Sequence, residues 1–198
     1  SYPQDVLEVQ ALPAPRKRGQ VVEAVPGTGL EVPLWILGSS LYGAQLAAAL
    51  GLPYAFASHF APDELMAALA TYRAGFRPSA QLPSPYAMVG ANVVVAETDA
   101  EARRLYTSVQ LGFANLLRGA RGRLQPPIDD IESYWTPAEK AHASRMLACS
   151  FVGSPATVRA ALTQFVTQTA ADEVIVAAGI FDQAARLRSY ELLAEAMR

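Results

Sequence analysis

A chain of 198 residues, 52% of them hydrophobic, can bury a substantial core within a single domain. Its formal net charge of −2 offers no basic surface for nucleic-acid phosphates or an anionic membrane, so neither partner is expected. The lone Cys149 excludes an internal disulfide and fits a cytoplasmic protein, and with only His59 and His142 as imidazoles no metal centre is expected.

In chain order, residues 3–10 are expected as a helix and residues 20–25 as a strand. The run from Val32 to Pro62 then carries no Asp, Glu, Lys or Arg. A bilayer span needs about 20 apolar residues, so its length alone admits a membrane helix. Its breakers argue otherwise: Pro33 and Gly38 bound a short apolar strand, and Gly38-Ser39-Ser40 is a turn. Residues 41–50 form an Ala/Leu-rich helix that stops at Gly51 with Pro53 beyond, and residues 54–58 form a second strand. Leu65, Met66, Leu69, Tyr72 and Phe76 recur at helical spacing over residues 62–76.

Residues 87–96 (AMVGANVVVA) read as a Val-rich strand. Thr98 and Glu101 form a capping box that opens a long helix to about Arg118. Residues 119–136, rich in Gly, Pro and Arg at their start, are expected to be a mobile loop, with Tyr134 and Trp135 either closing over a ligand or simply packed. A helix over 137–147 follows. Ser154-Pro155 starts another helix to Thr169, residues 172–179 form a last buried strand, and residues 182–198 a last helix capped by Asp182. Cys149 reads as a buried core thiol and Trp35 as core. The acidic trio Asp129, Asp130 and Glu132 reads as solvated loop charge.

Strands alternating with helices define an α/β protein with a parallel sheet, either doubly wound or a (β/α)8 barrel. Both architectures bind ligands beyond the carboxyl ends of the strands, where Gly38 to Gly43 and Ser58-His59-Phe60 fall. The amides opening the helix at Leu41 favour an anion. Gly38 lets the chain turn, the Ser39 and Ser40 hydroxyls can donate to phosphate oxygens, and Gly43 permits close approach. A serine there also serves as an ordinary N-cap, and that reading stays open. His59 can act as acid or base near neutral pH, or simply hold a loop in place.

The string PLWILGSSLYGAQLAAALGLPYAFASHFAP, the capped helix after NVVVAETDAEARRL, VGSPATVRAAL and ADEVIVAAGIFD together resemble the bacterial-luciferase-like flavin-dependent monooxygenases. The similarity runs in order along nearly the whole chain. It implies a (β/α)8 TIM-barrel type, represented by its C-terminal half or more as one domain over 1–198. It also implies an FMN-dependent oxidoreductase that uses reduced flavin and O2 on a small organic substrate. By position in the family motif, Ser40 and the amides of Leu41, Tyr42 and Gly43 match contacts to the FMN phosphate, beside Gly38 and Ser39. A sister group that binds F420 and a non-catalytic relative remain as alternatives. The family's N-terminal strands have no counterpart in the sequence. The open edges are therefore expected to meet either that N-terminal half or another copy in a homo-oligomer.

Overall fold

The computed structural model describes residues 1–120 and 122–198. In chain order it contains α1 (Tyr2–Ala11), β1 (Ile36–Gly38), α2 (Leu41–Leu50), β2 (Tyr54–Phe56), α3 (Leu65–Gly75) and β3 (Ala87–Val95). These are followed by α4 (Asp99–Leu117), α5 (Pro137–Met146), β4 (Ser150–Gly153), α6 (Pro155–Thr169), β5 (Glu173–Ala177) and α7 (Gln183–Ala196). The charge-free run resolves into β1, α2 and β2, broken at Gly51. There φ is +63°, and a Cβ would collide with the Arg77 carbonyl and Ser79. No helix among the described residues is long and apolar enough to cross a membrane.

The five strands form one sheet in which every pairing is parallel. β3 is the hub. Along a strand the backbone polar groups point alternately to its two edges. The Tyr86 carbonyl receives Tyr54, and the Asn92 and Ala96 amides donate to Cys149 and Gly153. The Ala87 carbonyl receives Asp172. By this parity β2 and β4 share one edge of β3, one after the other, and β5 takes the opposite edge.

Register sorts the side chains by face. Ile36, Tyr54 and Ala87 share one face with Phe56, Val89, Ala91 and Val93. That face is buried under α2 and α3 at one end and α6 and α7 at the other. Leu37, Ala55 and Met88 share the other face with Gly90, Asn92, Ile175 and Ala177. This second face, the inner face, is the more open one, with Leu37 and Ile175 exposed. α4 packs Ala102, Leu105 and Tyr106 against Val94, Val152 and Ala178 at the carboxyl ends of β3, β4 and β5.

Helix starts follow the sequence closely. Thr98 Oγ1 accepts the Glu101 amide at 3.2 Å, Asp182 Oδ1 accepts Ala185 at 2.8 Å, and Thr136 and Glu139 complete a capping box. At α6, Ser154 makes no side-chain cap; its amide donates to Asp99 Oδ1 at 2.6 Å, tying α6 to the start of α4. That bond and the Thr157 hydroxyl hold the Asp99 carboxyl below its usual range.

Two expectations are corrected. Residues 20–25 form no strand: no neighbouring edge receives them, and Val21 is 94% exposed. Trp35 is half-buried ahead of β1, edge-on to Tyr86 at 5.7 Å, rather than in the core. Cys149 is buried as expected, directly before β4, a strand that the sequence reading did not assign. The loop expected over 119–136 includes Arg121, which lies outside the described residues.

Candidate functional site

The first part of the site follows β1. Ser40 is the extended N-cap of α2, yet its hydroxyl makes no capping bond. Neither it nor the Ser39 hydroxyl enters a hydrogen bond among the described residues. The Leu41 amide donates instead to Glu64 Oε2 at 3.3 Å. A carboxylate thus sits at the positive end of the α2 dipole, as the uncapped first-turn amides favour.

Tyr54 of β2 supports this turn from beneath. A Cβ at Gly43 would lie 3.5 Å from the Tyr54 ring, and one at Gly38 would lie 3.9 Å from its hydroxyl. Both are ordinary van der Waals distances, so the turn packs on the ring without its space demanding glycine at either position. Tyr54 Oη donates to the Ser40 carbonyl at 3.2 Å, and burial followed by the Glu64 charge pushes its phenol up to about 12.

The second part follows β2. Ser58, fully buried, donates its hydroxyl to the Gly90 carbonyl at 2.6 Å. Asn92 Nδ2 donates to the His59 carbonyl, and also to Ser150 Oγ at 3.3 Å. These bonds fasten Ser58-His59 across the seam where β2 ends and β4 begins. The His59 ring lies directly over Gly90, so any Cβ there would collide with Nδ1, and Phe60 meets the imidazole edge-on at 4.8 Å. Burial lowers the His59 pKa and so favours the neutral imidazole. The α2 N-terminus and His59 thus follow the carboxyl ends of adjacent strands.

Other residues singled out in the sequence lie elsewhere. Asp129 pairs with Arg104 at 2.7 Å, Asp130 accepts the Glu132 amide, and Glu132 pairs with Lys140 at 2.7 Å. Trp135 is buried and donates to Glu132; the Tyr134 ring lies under the Arg118 guanidinium and its hydroxyl donates to Asn115. These contacts pack the segment onto α4 and α5. Glu64, Tyr54, Gly90 and Asn92 escaped the sequence reading. Gly90 and Asn92 carried a signal: they interrupt AMVGANVVVA at alternate positions, which places both on one face of a strand.

A parallel sheet with helical crossovers and a candidate site beyond its strand carboxyl ends defines an α/β protein of the open-sheet or barrel class. Within that class it belongs to the luciferase-like monooxygenase family, whose profile matches residues 5–173. A "Luciferase-like monooxygenase" of Escherichia coli strain K12 is 48% identical over 192 residues, covering 97% of this chain and 57% of that protein. The structure of apo-MsnO8 is 34% identical with a TM-score of 0.79, covering all of this chain and 60% of the other. An F420-dependent secondary alcohol dehydrogenase in complex with an F420–acetone adduct shares the fold alone, at 13% identity and a TM-score of 0.60. That match covers 98% of this chain and 60% of the other. The chain therefore spans well under two thirds of the length of these relatives.

Proposed function

We propose that the protein is an FMN-dependent oxidoreductase of the luciferase-like type, acting on a small organic substrate with O2. The observation that carries this reading is the Glu64 carboxylate on the Leu41 amide, an anionic group at the place where the family motif puts the FMN phosphate. The residues fit a phosphate. The Ser39 and Ser40 hydroxyls donate to it, the Leu41, Tyr42 and Gly43 amides point toward it, and Tyr54 holds the turn through the Ser40 carbonyl. Bound reduced flavin supplies the electrons with which O2 oxidises the substrate. His59, neutral and fixed over Gly90, takes or gives a proton on the inner face of the sheet. In this reading the remaining barrel strands, from an N-terminal half or a second copy, close the site, and the protein works in the cytoplasm.

F420 is the second reading, favoured by the shared fold of the F420-dependent alcohol dehydrogenase. Fluorescence titration separates the two: quenching of FMN supports the first, a change in F420 fluorescence the second, and neither leaves a relative that binds no flavin. Ser40→Ala removes one donor to the phosphate and is expected to weaken FMN binding by about tenfold. Unchanged affinity would remove this loop from the cofactor site. Substrate-stimulated O2 consumption with reduced FMN tests catalysis.

A further inference from the structure

The ladder between β1 and β2 stops short of His59. It closes with the Ala57 amide on the Gly38 carbonyl at 2.9 Å, and the Phe60 and Ala61 amides then turn back onto Ala57. Ser58 and His59 thus leave the sheet, and side-chain bonds hold them in place. The Ser58 hydroxyl grips the Gly90 carbonyl. Among the described residues, the donor that reaches the His59 carbonyl is Asn92 Nδ2. A carbonyl only accepts, so the nitrogen of the Asn92 amide, and not its oxygen, must face His59.

Asn92 is itself held firmly. It is 7% exposed, stands opposite Ser150 in the register of β3 with β4, and its backbone amide donates to the Cys149 carbonyl at 3.0 Å. The second hydrogen of its side-chain amide goes to Ser150 Oγ at 3.3 Å. The Ser150 hydroxyl in turn lies within hydrogen-bond reach of the Tyr106 phenol, which burial pushes up to about 12 and so keeps neutral. Tyr106 packs on the apolar cluster around Val94 beneath α4. A continuous run of polar contacts therefore joins α4, β4 and β3 to the backbone of His59.

We propose that Asn92 is the positioning residue of His59, and that Ser150 and Tyr106 support it, so that the seating of α4 and β4 on β3 holds the imidazole over Gly90. The consequence for catalysis rests on the reading of His59 as the proton-transfer group; the positioning itself needs no cofactor. Asp63 and Glu64 lie on the loop of His59, Asp63 pairs with Arg145 of α5 at 3.7 Å, and the Cys149 thiol at the start of β4 reaches Ser58. Burial, rather than any of these groups, lowers the His59 pKa. A ring released from Gly90 into solvent would lose that effect.

The test is a histidine NMR titration of the 198-residue chain. His59 and His142 give two ring signals, which His142→Gln assigns. Asn92→Leu keeps a side chain of similar size and supplies neither hydrogen. In this variant the His59 pKa should rise toward the ordinary histidine value, and the ring-current shift from edge-on Phe60 should be lost. Ser150→Ala and Tyr106→Phe should move His59 in the same direction by less. An unmoved His59 titration in Asn92→Leu, with only the urea midpoint lowered, makes Asn92 merely structural and overturns the proposal. Should Asn92→Leu fail to fold, the other two variants decide, and an unmoved His59 in both overturns it. A wild-type His59 that titrates as a free histidine does, at about 6.5, overturns it as well. FMN is titrated into the same samples. FMN binding with an unmoved His59 defeats the positioning and leaves the flavin site standing. A His59 that responds to the variants in a chain that binds no FMN upholds the positioning and defeats the flavoenzyme reading.

Discussion

Tyr72 carries one of the most heavily used hydroxyls in the core. The residue is fully buried; its one hydroxyl hydrogen lies within reach of the Leu52 carbonyl at 2.9 Å and the Tyr86 carbonyl at 3.2 Å, and its oxygen accepts the Tyr86 amide at 3.1 Å. It thereby joins α3 to the loops that deliver β2 and β3. Tyr72→Phe keeps the ring and strands these backbone groups, at a cost of about 1–3 kcal/mol. Urea unfolding should show the midpoint fall with the slope retained; an unshifted midpoint would mean water replaces the hydroxyl.

His59 gives a prediction with a sign. Burial lowers its folded pKa, so as pH falls the unfolded chain takes up this proton first. Stability from this residue is therefore lost as pH drops from about 6.5, the unfolded value, toward the lower folded pKa. His59→Gln should flatten that part of the curve, read as the difference in urea midpoint between about pH 7.5 and 5.5. An identical difference in both proteins would show that other groups set it. At this scale sequence reading was uneven. Ser40 and His59 stood out because their residue types carry chemistry and they follow strands. Glu64 did not, because it comes within reach of Leu41 only once α3 is laid beside α2.

At the scale of elements, the N-terminus of α2 faces two claimants. Glu64, the residue before α3, places its carboxylate on the Leu41 amide, and a phosphate arriving there must displace it or share the site against its charge. Glu64→Gln removes the repulsion while keeping a polar side chain of the same length. FMN affinity should rise about two- to fivefold at low salt, with a smaller gain at high salt. Weaker binding in the variant would instead make the carboxylate a helper of the site. Elements with strong local signals were legible in sequence: α4 from its Thr98 cap, although Glu101 does not close the expected box, α6 from Ser154-Pro155, β3 from its run of valines. β4 was not, since four residues show too little periodicity, and its pairing with β3 is decided by contacts distant in sequence. Residues 20–25 have strand-like composition but no edge to join, so tertiary context overrode propensity there.

At the scale of the whole molecule, the two faces of the sheet differ sharply. Ile36, on the helix-covered face, is 4% exposed, whereas its neighbour Leu37, on the inner face, is 65% exposed and Ile175 is 55% exposed. Parallel sheets are normally covered on both faces, and barrels of this class close with eight strands. Among the described residues β1 pairs only with β2, and β5 only with β3. The relatives are substantially longer than this chain. An inner face covered by further strands should behave differently from one left open. In the 198-residue chain, Leu37→Ser and Ile175→Ser should each cost less than about 0.5 kcal/mol, as exposed substitutions do. In a protein of the relatives' full length, each should cost about 2–4 kcal/mol, as buried large-to-small changes do. Denaturant midpoints of the four proteins against their parents decide the matter. Small costs in both settings would mean that the remaining sequence does not pack on this face, and the flavin would have to be held without a closed barrel.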